Sequence, residues 1–330
     1  MPCCRKEYFS RMNKKYDIVR FILKCILIPA AAVFVIYALN IPYRKIDAGK
    51  YMDIIKFDIL GHSDEVIQIA NVGSSHGAYG LLYDDISDMG YSCFNFANVS
   101  QSFDYDLAML KEFQDHMQEG SVLFIPISYF SFNNEVINSK EAEAMSIRYY
   151  HFLSPENIPD YDLYVDIITH KLPVLSAGED ILELLPDLNT VLTAHAAGSG
   201  IDEEEIARRA QERYSRHFDN KEEYFMPERI EELYEIIDFC KERNITPVLI
   251  TTPFTKYYID LVPQNFLEEF YTTINRIADD TGVSYYDYSH DSRFYDNLEP
   301  FSDSDHLTED GALYFTDILW DEVTELERFH

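Results

Sequence analysis

Basic side chains are scarce. Only 27 Lys and Arg stand against 58 Asp and Glu in 330 residues, a formal charge of −31. The shortage is uneven: residues 1–50 hold ten of the 27, which leaves 17 basic and 55 acidic groups in residues 51–330. A body that acidic repels phosphate backbones within a Debye length, which excludes a nucleic-acid binder. Glycine is sparse as well. Gly73, Gly77 and Gly80 lack the spacing of a dinucleotide fingerprint, and no phosphate-loop Lys-Ser/Thr pair follows them. The five cysteines show no metal-thiolate spacing. Cys3, Cys4 and Cys25 fall in the N-terminal stretch, and Cys93 and Cys240 lie in apolar surroundings that read as two buried free thiols. No repeat of 20–50 residues is visible. What the chain does have is apolar material: 47% hydrophobic and 15% aromatic residues build a sizeable core and exclude disorder over most of the length.

The basic N-terminus leads into an apolar run from Phe21 to Leu39, broken only by Lys24. As a helix this run spans about 28 Å, close to the hydrocarbon thickness of a bilayer. Lys24 can snorkel from one end, and Pro29 is tolerated in a membrane helix. Seven Lys/Arg precede Cys25, whereas only Arg44, Lys45 and Lys50 follow nearby, so the positive-inside rule puts the N-terminus in the cytoplasm. A cleaved signal peptide is the rival, but Ala30, Ala31 and Ala32 lie in the middle of the run rather than at its end. The expected organisation is a cytoplasmic tail over 1–20, a signal anchor over 21–41, a linker over 42–62 and an extracytoplasmic domain over 63–330.

From residue 65 onward short apolar runs alternate with helical patterns. Strands are expected at Glu65–Val72, Ser92–Ala97, Ser121–Tyr129, Thr246–Thr252 and Val283–Tyr288. A helix follows the first strand through Met89, and others are expected over Tyr105–Gln118, Pro227–Arg243, Asn265–Asp280 and Asp310–Leu326. The continuous apolar run SVLFIPISY is what a parallel strand buried on both faces requires. The pattern predicts an α/β fold: a three-layer α/β/α arrangement around an open parallel sheet of about five strands. Residues 132–225 break the rhythm with Pro155, Pro159, Pro173, Pro186 and a Gly-Ser-Gly at 198–200, and read as a mostly helical insertion, a lid or a decoration.

Open α/β sheets bind ligands beyond the carboxyl ends of their strands. Directly after the first strand comes Gly73-Ser74-Ser75-His76-Gly77, a sharp strand-to-helix turn that would present Ser75 with backbone amides nearby. A serine needs a base. After the last strand stands Asp303-Ser304-Asp305-His306-Leu307, where Asp303 can reach back to His306, fix its tautomer and leave the other nitrogen for the serine proton. Ser75, His306 and Asp303 are thus the candidate catalytic triad. His76 points away from Ser75 by adjacency and reads as a pocket wall. Asp303, Asp305 and His306 fail the EF-hand pattern because Leu307 stands where an oxygen ligand is needed, so no metal is expected and no cofactor.

These two blocks resemble those of the SGNH/GDSL hydrolase superfamily, over about residues 63–130 and 227–326. Ser75 falls in the nucleophile position, and Ser74 stands where many members carry Asp. Asp303-Ser304-Asp305-His306 looks like the family's last block. The resemblance implies an ester hydrolase or acyltransferase without a cofactor. The family's oxyanion glycine has no counterpart in Asn95–Gln101, where Ser100 is the nearest match, and its Gly-x-Asn-Asp block is absent after the third strand. The implied oxyanion donors are the amides of Ser75 and Ser100, with Gln101, Asn98 and Asn133 as substitutes for the missing side-chain donor.

One membrane helix ahead of such a domain is similar to the architecture of the teichoic-acid D-alanylation system. It is also similar to domains that acetylate or deacetylate exported polysaccharides. The expected function is a membrane-anchored serine acyl-ester hydrolase or O-acyltransferase on a cell-envelope glycan, with the membrane and a membrane acyltransferase as partners. D-alanyl transfer to teichoic acid is one alternative, disfavoured by the acidic body's repulsion of a phosphate-rich polymer. A catalytically silent envelope protein that binds a glycan or an assembly partner is the other.

Overall fold

The computed structural model describes residues 3–49, 55–133, 146–178, 180–181, 203–218 and 225–327. The Gly-Ser-Gly at 198–200 and parts of the expected insertion lie outside these residues. The chain divides into two compact units, Met1–Lys56 with Asp162–Thr193, and Phe57–Tyr161 with Ala194–His330.

In the first unit one long helix, α1, runs over Cys3–Gly49. Its 30-residue stretch Tyr16–Lys45 is long and apolar enough to cross a bilayer. Three short helical turns follow one another, Leu163–Val165, Asp166–Lys171 and Pro173–Leu175, each packed on the next, and the last of them packs against α1. The stretch expected as a linker is helical at both ends, in the last turns of α1 and in α2 at Ile55–Gly61.

The second unit holds a five-stranded sheet in the order β2-β1-β3-β4-β5, every pair parallel. The strands are β1 Ile67–Asn71, β2 Cys93–Asn95, β3 Met117–Pro126, β4 Thr246–Thr251 and β5 Ser284–Asp287, each overlapping its expected run. Between them lie α3 Ser75–Gly80, α4 Asp84–Asp88, α5 Phe103–Glu112, α6 Glu203–Phe218, α7 Pro227–Glu242, α8 Lys256–Ile259, α9 Gln264–Thr281 and α10 Glu309–Glu327.

Strand alternation sorts the core into two layers. Ile69, Val122, Phe124, Val248 and Ile250 bury one face under Ile86 of α4 and Phe315, Leu319 and Val323 of α10. The alternate residues Ala70, Leu123, Ile125 and Leu249 are equally buried, and on that side α7 packs against β4 and α9 against β5. Central strands thereby need apolar side chains on both faces, which is why β3 reads as an unbroken apolar run. The strand order reverses between β1 and β3. In such sheets that switch point opens a crevice beyond the strand ends. The single helix expected through Met89 is two, α3 and α4, because Leu81-Leu82 leave the helical path. Cys240 is buried, whereas Cys93 is only half-buried, and both are free thiols.

Candidate active site

Backbone constraints at the end of β1 aim the serine. Gly73 adopts φ +114°, a conformation open to glycine and costly for other residues. Its N–H donates to Asp106 Oδ1 at 2.8 Å, which ties the turn to α5. Ser74 caps α3, whose first turn closes through Gly77 N–H and Ala78 N–H donating to Ser74 O at 3.0 and 2.9 Å. Gly77 has no room for a side chain, since a Cβ there would stand 2.6 Å from Val72 O and 2.9 Å from Ala97 Cβ. Ser75 emerges as the first residue of α3.

A tight loop carries its partner. Phe301 and Leu307 form an antiparallel bridge, Ser302 N–H donates to His306 O at 2.9 Å, and Thr255 beyond β4 donates through Oγ1 to Ser304 O at 2.7 Å. The tip presents Asp303, Asp305 and His306. Asp303 Oδ1 accepts the backbone N–H groups of Asp305 at 3.0 Å and His306 at 2.8 Å, so the same carboxylate that turns the loop is left with Oδ2 toward the ring.

The structure brings the three expected residues together. His306 Nδ1 lies 2.9 Å from Asp303 Oδ2, and His306 Nε2 lies 2.8 Å from Ser75 Oγ. An ionised carboxylate only accepts, so Nδ1–H donates to Asp303 and Nε2 accepts from the serine hydroxyl. Burial raises the Asp303 carboxyl, but the hydrogen bond from His306, the charge interaction with that ring and the backbone N–H of Asp305 together outweigh it and hold the group below its ordinary value. The cleft around this chain is lined by Ser75, His76, Tyr79, Thr252, Asp305 and His306.

A second polar chain runs beside the first. His76 is buried, with Nδ1 2.5 Å from Ser128 Oγ and Nε2 3.3 Å from Asp305 Oδ2. Nε2–H therefore donates to the carboxylate and Nδ1 accepts from Ser128. Burial lowers the His76 pKa, against the raising effect of Asp305. Asp305 receives Arg213 Nε at 3.0 Å and Ser304 Oγ at 3.0 Å. Desolvation opposes its charge, yet the hydrogen bond from His76 and the nearby positive groups hold its carboxyl well below the usual range. Arg213 Nη2 stands 2.8 and 3.0 Å from both ring nitrogens of His306. Both in-plane positions of that ring are already taken by Ser75 and Asp303, so the guanidinium lies over the face of the imidazole.

Arg213 was not among the expected residues. It sits on α6, inside the region expected as an insertion, among Arg208, Arg209 and Arg216, and no local motif distinguishes it. The available hint was Asp305, a second acid beside the histidine that needed a cation. His76, Asp305 and His306 offer ligand atoms within 4.8 Å of one another. A metal fits poorly there, because the guanidinium of Arg213 already satisfies Asp305 and both nitrogens of His306 are engaged.

The expected oxyanion donors separate. Ser100 adopts φ +57° as the third residue of a turn closed by Gln101 N–H donating to Asn98 O at 3.1 Å. Glycine is favoured at that position of such a turn. Gln101 has no donor to offer: Nε2 gives one hydrogen to Phe96 O at 3.2 Å and the other to Asp106 Oδ1 at 2.6 Å, and its backbone N–H closes the turn. Asn98 donates to Gln101 Oε1 and Asn133 to His217 O, both inside the fold. Their amide chemistry suits an oxyanion donor, but these bonds use it inside the fold. Asp106, at the centre of that scaffold, is pushed up to about 7 by burial, against its hydrogen bonds from Gln101 and Gly73.

Residues 203–317 match the family model described as DltD protein. The match includes Arg213, Asp303 and His306 but not Ser75. It agrees with the resemblance to the teichoic-acid D-alanylation system. No curated protein matches the chain by sequence. Among solved structures, the chain is similar to a Bacteroides fragilis protein described as an acylhydrolase, at 10% identity and a TM-score of 0.41, covering 81% of this chain and 93% of that one. It is also similar to the acetyl xylan esterase AlAXEase, at 14% identity and 0.39, covering 78% and 100%. A Streptococcus pneumonia protein described as a platelet activating factor is similar at 12% identity and 0.40, covering 89% and 99%.

Proposed function

We propose that the chain is a membrane-anchored serine acyl-ester hydrolase or O-acyltransferase that acts outside the cytoplasm on a cell-envelope polymer. One observation carries the reading: His306 bridges Ser75 Oγ at 2.8 Å and Asp303 Oδ2 at 2.9 Å at the switch-point end of the sheet. The family match over residues 203–317 supports acyl chemistry on envelope polymers.

In this mechanism Ser75 Oγ attacks the acyl carbon while its proton passes to His306 Nε2. Asp303 holds the ring in orientation and stabilises the imidazolium. The tetrahedral oxyanion is received by the amides of Ser75 and Ser100, two donors of the kind that stabilise charge only as it develops. His306 then protonates the leaving alcohol, and an acyl-Ser75 ester remains. Water or a polymer hydroxyl, deprotonated by His306, completes hydrolysis or transfer. Arg213 and Asp305 keep the ring in place from its face and take no proton.

The family match favours D-alanyl transfer to teichoic acid over chemistry on acetylated glycans. The electrostatic objection to teichoic acid is weaker than polymer charge alone implies. A D-alanyl ester carries an ammonium, which an acidic body attracts. The test is ester turnover on D-alanylated and O-acetylated envelope polymers by the full chain and by Ser75→Ala. Loss of turnover in a folded Ser75→Ala protein is expected, and retained turnover would overturn the proposal.

A further inference from the structure

We infer that residues 163–175 form an interfacial clamp, which seats Leu163, Tyr164 and Leu175 in the lipid headgroup layer where α1 leaves the bilayer. This rests on the reading of α1 as a membrane span. The apolar run of α1 ends at Leu39, and the next residue is Asn40. Among the described side chains of α1, one stripe is covered and the rest are exposed: Ile36 is half-buried, and Asn40, Tyr43 and Asp47 are buried. The spacing of four, three and four is a single helical face. The covering element is the turn at Pro173–Leu175, which packs on α1. A segment that covers the helix at the very end of its apolar run stands at headgroup depth.

The backbone of the clamp is suited to the edge of the hydrocarbon, beyond which stray polar groups would lose their water partners. Leu172 and Pro173 break the helical ladder, and proline has no N–H to continue it. The side chain of Asn40 repairs the break from both sides: Nδ2 donates to Lys171 O at 3.1 Å, and Oδ1 accepts from Val174 N–H at 3.3 Å. Asp162 caps the start of the run, accepting Tyr164 N–H at 2.7 Å and Val165 N–H at 3.2 Å. With these backbone groups satisfied, the clamp still leaves Leu163, Tyr164 and Leu175 at 58%, 68% and 48% exposure. Three large apolar side chains on one short segment beside a span fit the amphipathic boundary of a lipid leaflet, and tyrosine is a residue that boundary favours.

The test uses the full chain reconstituted in phosphatidylcholine bilayers with Tyr164→Trp. The native protein serves as reference, since its single tryptophan, Trp320, is 6% exposed in the sheet core. Phe34→Trp, at a position 72% exposed on α1, reports whether the span is inserted. Lipids brominated near the headgroup are expected to remove most of the emission added at position 164, and lipids brominated near the chain ends most of that added at 34. Quenching at 34 without quenching at 164 would overturn the clamp and leave the span standing. Failure of both would overturn the span as well. Protection of position 164 from both lipid bromine and aqueous iodide would assign the surface to a protein partner and refute the lipid assignment.

Discussion

Two aspartates two residues apart are expected to fail in opposite ways when neutralised. Asp305 has a side chain 1% exposed and meets Arg213, 21% exposed, at 3.0 Å. Asp305→Asn keeps the shape but removes the charge that balances a buried guanidinium, and it turns an amide N–H toward groups that themselves donate. Removing one partner of a buried pair costs about 3–5 kcal/mol, and the part-exposure of Arg213 moves the expectation to about 2–4 kcal/mol. Spread over a slope typical of urea unfolding, that is a midpoint shift of about 1 M. Trp320 in the sheet core reports the transition by its fluorescence. Asp303→Asn is different, because an amide oxygen can still accept the two backbone N–H groups that turn the loop. Its stability loss is expected at about 1 kcal/mol, the scale of an ordinary hydrogen bond. The rate at which a fluorophosphonate modifies Ser75 should fall by about 10³–10⁴, as loss of the aspartate does in other triads. The effect of Asp305→Asn also has a sign in pH. The folded Asp305 carboxyl lies well below its ordinary value, so its stabilisation is present above about pH 4 and is lost as pH falls below that. The two proteins should therefore converge in stability in acid. If Asp305→Asn left the urea midpoint unchanged at pH 7 but slowed labelling as much as Asp303→Asn, the division of roles would be refuted.

Other outcomes follow from the same geometry. Burial lowers the pKa of His76 and lowers that of His217 further, so between the folded values and about 6.5 the unfolded chain binds more protons. Stability should decline as pH falls below about 6.5, and His76→Asn with His217→Asn should flatten that slope in urea titrations. Ser100→Gly relieves a left-handed serine at φ +57° while keeping its N–H, so labelling should be unchanged and stability up to about 1 kcal/mol higher. A slowed labelling rate would give the Ser100 hydroxyl a role of its own. Gly311→Ala would set a Cβ 2.1 Å from Pro300 O, and the protein should lose more than about 3 kcal/mol or fail to fold.

The sheet was legible because parallel strands must be apolar on both faces, and Ser121–Tyr129 and Thr246–Thr252 have no other use. The hydrogen-bonded arrangement of Ser75, His306 and Asp303 was legible because its residues pack into two short blocks, each at a strand end. Its geometry needed only the loop closed by Phe301 and Leu307. Arg213 was not legible: it reaches the site across 92 residues of chain from Asp305, and a helix with four arginines does not reveal which one faces inward. Gln101 misled for the opposite reason. An amide side chain near the nucleophile suits an oxyanion donor and a buried strut equally, and its bond to Asp106 at 2.6 Å makes it the strut. The break of the first helix at Leu81 likewise followed from packing, since Leu81, Tyr83 and Ile86 all turn into the core.

The most direct measurement is intact-mass spectrometry of the detergent-solubilised full chain after treatment with a fluorophosphonate, beside Ser75→Ala and His306→Ala. A serine activated by His306 takes up one phosphonyl group, and neither variant takes up any. An adduct that persists in Ser75→Ala, or a folded native protein that gains no mass, would contradict the account.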